Sequence, residues 1–240
     1  MTDRTRRVVN EPAYVLHRRP YRETSMIVDL LTPGFGRIGV VARGVRGGAR
    51  RRGGASLEPF ARLLIGCAGR GGLMTLGGAE VVNHRSLSGH ALFAGLYLNE
   101  LVVRLLRADD AHPALFDGYD AAVAALAGGA GLEPELRRFE RLLLKESGYE
   151  VVFDADAETG EPVSAGRHYR YTPDFGFTRA QAAFDSAAVY EGAVLLAIAA
   201  DAYEHTAVRR AAKRILRRAL EPHLGDRPLQ SRLVFAAVRR

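Results

Sequence analysis

The sequence predicts an α+β chain, with a small β-barrel in the first third and a mostly α-helical domain after it. Three observations carry that prediction. Residues 1–83 alternate short β-branched or apolar runs with turn chemistry, and residues 84–240 place apolar side chains at helical spacing. Between two of the strand-like runs lies "VARGVRGGARRRGG", Val41 to Gly54, with five arginines, five glycines and no acid. Such a stretch reads as a loop rather than a packed face.

The strands follow in order. "AYVLHRRPY" is a short apolar segment, "ETSMIVDLLT" a β-branched one, and "PGFGR" supplies the turn into "IGVVARGV". After the arginine loop come "LEPFARLLIGCAG" and, past a glycine turn, "LMTLGGAEVV". Five strands in about 75 residues suggest an OB-fold, the five-stranded barrel that often holds oligonucleotides; an SH3-like barrel is the other candidate. The domain boundary falls at 83/84. "HALFAGLYLNELVVRLLRA" then places Leu92, Leu96, Leu101 and Leu105 near one helical face. "HPALFDGYDAAVAALAGG" has proline at its start and glycine at its end, and "EPELRRFERLLLKESGY" again has proline in its first turn. Residues 151–180 are a loop-rich excursion with two short strands, suggested by Tyr169, Tyr171, Phe175 and Phe177. Three more helices start near Asp185, Thr206 and Pro228.

Composition narrows the function. The formal net charge is +7. It is +8 over residues 1–83, −7 over 84–200 and +6 over 201–240, so two cationic ends flank an acidic middle. That distribution attracts a polyanion to particular surfaces, and nucleic acid is the usual one. No apolar run approaches the roughly 20 residues of a membrane span, and no apolar stretch follows the N-terminal arginines. The single cysteine, Cys67, cannot build a disulfide framework or a cysteine-ligated zinc site. A cytoplasmic, membrane-free protein is expected.

Glycine leaves the backbone free, so the guanidinium groups of the loop can follow an irregular phosphate chain. Arg50, Arg51 and Arg52 are the expected clamp. Arg43 and Arg46, anchored at the end of the third strand, should contribute more individually because less freedom is lost on binding. Arg19, Arg22 and Arg37 are candidates for the same face. A second cationic element is "TAVRRAAKRILRRALEPHL". Arg209, Lys213 and Arg217 form one row and Arg210, Arg214 and Arg218 another, with Val208, Ala212, Ile215, Leu216 and Ala219 on the opposite side. Like charges at that spacing cost roughly 0.2–0.5 kcal/mol per pair, which implies an anionic neighbour or partner.

"GFGRIG", Gly34 to Gly39, matches a dinucleotide-binding fingerprint, but a β-branched strand follows it where a helix is required, so it reads as a glycine hairpin. There is no GxSxG, Walker loop or HExxH, and no histidine spacing suited to a metal. The pairs Asp109–Asp110 and Asp154/Asp156 read as helix ends or loops. No enzymatic chemistry and no cofactor are expected.

"VLHRRPYRETSMIVDLLTPGFGRIGVVARGVR", "LEPFARLLIGCAGRGGLMTLGGAEVV", "GLYLNELVVRLL" and "LGDRPLQSRLVF" together resemble the RecO family of recombination mediators. The resemblance spans nearly the whole chain and implies an N-terminal OB domain with a helical C-terminal domain. It further implies binding of single- and double-stranded DNA, strand annealing, and action with RecR in loading RecA onto strands coated by single-strand-binding protein (SSB). A monomer is expected. Many members carry a four-cysteine zinc module after the third helix; here that place reads "FDADAETGEPV", without cysteine, so a zinc-free excursion is expected. The SSB tail, acidic and ending in phenylalanine, would need an apolar pocket ringed by cations. The third helix offers Leu136, Phe139, Leu143 and Leu144 for the wall, with Arg137, Arg138, Arg141 and Lys145 for the charge; the 209–218 stripe is the rival dock. An RNA-binding OB protein is the alternative reading, and a dinucleotide-dependent oxidoreductase the remoter one.

Overall fold

Strand β1 (Arg6–Tyr21) pairs antiparallel with β2 (Ser25–Thr32) along one edge and with β4 (Ala61–Gly69) along the other. β3 (Gly36–Ala42) follows β2 through a hairpin, and β5 (Leu73–His84) pairs antiparallel with β4 and parallel with β3. The order β1-β2-β3-β5-β4 therefore closes on itself, giving the expected five-stranded, OB-like barrel. Closure removes the exposed strand edges that an open sheet would leave. In this computed structural model the described residues are 6–45, 57–129, 131–180 and 188–238.

Alternation sets the barrel core. Ile38, Val40 and Ala42 of β3 and Ala61, Leu63, Ile65 and Cys67 of β4 point inward at a period of two, against Val28, Leu30 and Met74. The unbroken run Ala13–Leu16 of β1 is buried on both faces. Ala13 and Val15 enter the barrel, while Tyr14 packs outward against Phe116 and Tyr119, with ring centroids 5.6 and 4.9 Å away. Those rings belong to α2 (Pro113–Ala127), which follows α1 (Gly89–Leu105). The β1 register shifts between Val15 and His17, and the carbonyl of Leu16 accepts a hydrogen bond from Asn99 Nδ2 of α1 at 3.0 Å. Tyr119 Oη donates to the same Asn99.

A second polar knot lies on this outer face. Asp120 accepts from Tyr14 Oη at 2.5 Å, Arg62 at 2.9 Å and Arg85 at 3.1 Å. Burial, then the Asp120 hydrogen bond, pushes the Tyr14 phenol up to about 12, so it remains a donor at any ordinary pH. These contacts make the first compact unit, residues 1–130 with 228–240, larger than the barrel alone; residues 131–227 form the second. The compact units part after α2. The buried side of α1 is also rotated from the expected Leu92–Leu105 stripe, and centres on Ala94, Leu98, Leu101 and Val102. The C-terminal helix explains the difference. Helix α6 (Gln230–Val238) covers another side of α1, where Phe235 meets Phe93 and His90 with centroids 5.4 Å from each. Glu100 of α1 receives the first α6 amides, Gln230 N and Ser231 N, both at 2.9 Å, and Ser231 Oγ at 2.7 Å. The "PLQSR" stretch is thus a helix start capped by a carboxylate from a distant helix.

The second unit begins with α3 (Leu132–Glu146). A three-stranded sheet of order β7-β6-β8 follows, built from β6 (His168–Thr172), β7 (Gly176–Ala180) and β8 (Val189–Glu191). α4 (Gly192–Ala199), α5 (Thr206–Leu220) and a 3-10 turn (Glu221–His223) complete it. The helix expected from near Asp185 starts only at Gly192, because Val189–Glu191 pairs with β6 first. α5 matches its sequence reading closely, with Val208, Ala212, Ile215, Leu216 and Ala219 all buried.

Candidate nucleic-acid interface

The parallel pairing of β3 with β5 sets Val41 opposite Thr75 and Gly39 opposite Leu73. Beside that seam, the β1–β2 turn closes on the pair Tyr21 and Ser25. A groove of about 770 Å³ opens there, with Tyr21, Arg22, Glu23, Val41, Arg43, Leu73 and Thr75 among its lining residues. Arg22 holds a left-handed backbone, φ +53°, and its guanidinium lies over the Tyr21 ring, 5.1 Å from the centroid. Arg43 is exposed just past the end of β3. A tyrosine ring beside arginines is a combination that single-strand sites use, the ring for base stacking and the cations for phosphate.

The structure sorts the sequence candidates. It brings Arg22 and Arg43 together in the groove. Arg19 is exposed on β1, opposite Ile27, and is not part of the groove lining. Arg37 turns elsewhere: its Nε donates to Leu106 O at 3.1 Å and its guanidinium faces Asp29 at 3.4 Å, so it ties β3 to the segment after α1. Arg46, Arg50, Arg51 and Arg52 lie outside the described residues. Tyr21 was missed in the sequence, although an aromatic between arginines in "RRPYRE" is the composition that single-strand sites use.

"GFGRIG" is a hairpin. Gly34 N donates to Glu11 Oε1 at 2.7 Å, Thr32 pairs with Gly36 across the turn, and β3 runs straight through the remaining residues with no helix. The dinucleotide reading lacks the helix N-terminus it requires.

Two of the residues expected to form the α3 dock, Phe139 and Arg137, are buried. Phe139 is 2% exposed and belongs to the core, and Arg137 is buried in an ion pair with the equally buried Glu140, at 2.8 Å. An amphipathic helix of mixed charge cannot reveal from sequence which way it is rolled, and here the roll hides both residues. Arg141 donates to the carbonyls of Ile198 and Ala199 and pairs with Asp201, closing the C-terminal end of α4. Arg138 meets Glu135 and Lys145 meets Glu150. On α5, Arg209 is held by the carbonyls of Tyr203 and Glu204, at 2.7 and 2.6 Å, and Lys213 by Glu133 at 2.7 Å. Arg210, Arg214, Arg217 and Arg218 stay exposed.

The excursion has its own organiser. Asp156, 5% exposed, accepts from the amides of Glu158 at 2.9 Å and Thr159 at 3.2 Å through Oδ1, and of Arg179 at 2.9 Å through Oδ2. Burial opposes its charge, but those amides outweigh burial and hold the carboxyl below its usual range. The residues here do not fit a zinc ion. The 151–180 segment has no cysteine, and among the described residues no three His, Cys, Asp or Glu gather as a metal site. Among the described residues, too, no helix is long and apolar enough to cross a membrane.

Comparison with known families decides the wider identity. Residues 6–85 match the family described as recombination protein O, N-terminal, and residues 87–233 match recombination protein O, C-terminal. The chain belongs to the RecO family. It is 46% identical over 228 residues to the DNA repair protein RecO of Stutzerimonas stutzeri, covering 95% of this chain and 93% of that one. To the DNA repair protein RecO of Cellvibrio japonicus it is 45% identical over 232 residues, covering 95% and 97%. The Nitrosococcus oceani relative of the same name is 42% identical over 235 residues, covering 98% and 95%. Membership supports a role in DNA repair and recombination, with which the groove and the flanking arginines agree.

Proposed function

We propose that this chain binds single- and double-stranded DNA through the barrel groove and the arginine–glycine stretch that follows it in sequence, and anneals complementary strands. With RecR it would assist RecA loading on SSB-coated DNA in recombinational repair, without covalent chemistry. The observation that carries this reading is the convergence of Arg22, Arg43 and Tyr21 on one groove. Annealing requires phosphate repulsion between two strands to be screened, and a dense run of arginines does so without reading sequence.

The test is a salt titration of binding to a single-stranded oligonucleotide. Six phosphate contacts give a log–log slope of about −4, and the triple change of Arg50, Arg51 and Arg52 to alanine flattens it by about 2. Arg22→Glu with Arg43→Glu weakens binding at least tenfold in a protein that remains folded. An unaltered slope and affinity in both variants would place the DNA site away from the barrel.

We also propose that the excursion folds without metal, on the support of the Asp156 turn. Exhaustive chelation then leaves the melting temperature and annealing rate unchanged, whereas stoichiometric zinc in the purified protein refutes it.

A further inference from the structure

Helix α5 carries six basic residues between 209 and 218 and no acid from Thr206 to Leu220. The structure shows which of these charges are spoken for. Arg209 is held by backbone carbonyls and Thr206, and Lys213 by Glu133, whose carboxyl that hydrogen bond holds low. Arg214 lies 5.1 Å from the Tyr190 ring centroid, a contact that steadies its guanidinium without neutralising it. The side chains of Arg210 and Arg217 have no ion-pair or hydrogen-bond partner among the described residues. Together with Arg218 they leave an exposed ridge about 10 Å long from Arg210 to Arg217. Arg210–Arg214, Arg214–Arg217 and Arg214–Arg218 are like-charge neighbours along the helix, each unfavourable in isolation.

We infer that this ridge is a second nucleic-acid-binding surface, which takes the phosphate backbone of a further DNA strand on the second compact unit. The inference rests on the proposed DNA-binding function and extends it, since annealing needs two strands held by one protein. Charge complementarity names the occupant. A protein partner of ordinary affinity needs an apolar anchor that is buried on docking. No exposed large apolar side chain sits on α5. In this unit Tyr149, Val152 and Phe175 gather instead at a recess of about 550 Å³, which α5 reaches only through Ala219. A bare arginine ridge suits a polyelectrolyte, whose binding is driven by counterion release rather than by burial.

The experiment uses the full chain. Protein is held on an immobilised 30-nucleotide thymidine strand, and a labelled strand of the same sequence, unable to pair with the first, is added in solution. Wild type captures the second strand. Arg210→Glu with Arg217→Glu keeps the first strand within about twofold and loses capture at least tenfold, and Arg22→Glu with Arg43→Glu, left with the α5 ridge, holds one strand more weakly and captures no second. In the alanine version of the α5 pair, the salt slope of second-strand capture flattens by about 1.4. Undiminished capture by the α5 variant overturns the second site, including the case in which two protein copies bridge the strands. Displacement of the second strand by an oligo-glutamate peptide as readily as by DNA also overturns it, in favour of an acidic protein partner. Full retention of the first strand by the barrel variant, with its loss in the α5 variant, would instead overturn the barrel reading.

Discussion

Replacing Asp156 by alanine should lower the stability of the second unit by about 3 kcal/mol, read by urea denaturation, and should speed amide exchange across residues 154–163. The buried carboxylate serves three backbone amides through part-buried bonds, and removing it leaves those donors without their protein acceptor. Hydrogen bonds to a charged group contribute about 1.5–3 kcal/mol each and do not simply add, which sets the estimate. The same amides belong to a compact turn: Gly160 N donates to Asp156 O, Asp156 N to Glu161 O and Val163 N to Asp154 O, each at 2.8 Å, and Ala157 N donates to Phe177 O of β7. Asp156→Asn should do nearly as much damage, because its amide NH2 would face one of the backbone N–H groups. A pH signature separates charge from shape. A carboxyl whose folded pKa lies below its unfolded value of about 3.9 stabilises above that value, and the contribution fades as pH falls through the folded pKa. The gap between wild type and Asp156→Asn should therefore be full at pH 6 and shrink below about pH 4. A gap independent of pH would show that the charge does not carry the effect.

Gly36→Ala should cost the first unit about 3–4 kcal/mol. Its φ is +61°, which alone costs an alanine about 1 kcal/mol or more. In addition, a Cβ at this position would stand 1.6 Å from the backbone oxygen of Asp110, so the 106–110 segment must move. That segment is pinned by Arg37 Nε on Leu106 O and by Asp109 N on Arg37 O at 2.9 Å, so displacement breaks further bonds. Gly71→Ala is the control, since Gly71 has φ +68° with nothing within 4 Å of its Cβ position. It should lose only the backbone share. Equal losses in the two variants would mean that the close approach carries no energy.

These two residues mark where sequence reading stops. Gly36 was legible as a turn residue, since a glycine hairpin between β-branched runs is a local statement. Its contact with Asp110, 74 positions away, is not. Asp156 read as a loop acid because the amides it serves at Arg179 arrive only once β7 has folded beside it. The groove was half legible. Arg22 and Arg43 stood out by charge, yet only the parallel pairing of β3 with β5 brings Leu73 and Thr75 to the same rim and makes a cleft of them.

What the sequence by itself determined is what short-range periodicity encodes: five strands with one inward face, the amphipathic α5, and the cationic ends of an otherwise acidic chain. Motif order along the chain was enough to suggest the family as well. What only the tertiary structure decided is how each amphipathic surface is rolled and which charges are already paired. The mixed-charge α3 buried Arg137 and Phe139 because Glu140 could travel inward with the arginine, and Arg141 closed α4 instead of facing solvent. A charge is available to a partner only after the fold has taken the charges it needs, and those pairings join residues tens of positions apart that no local pattern connects.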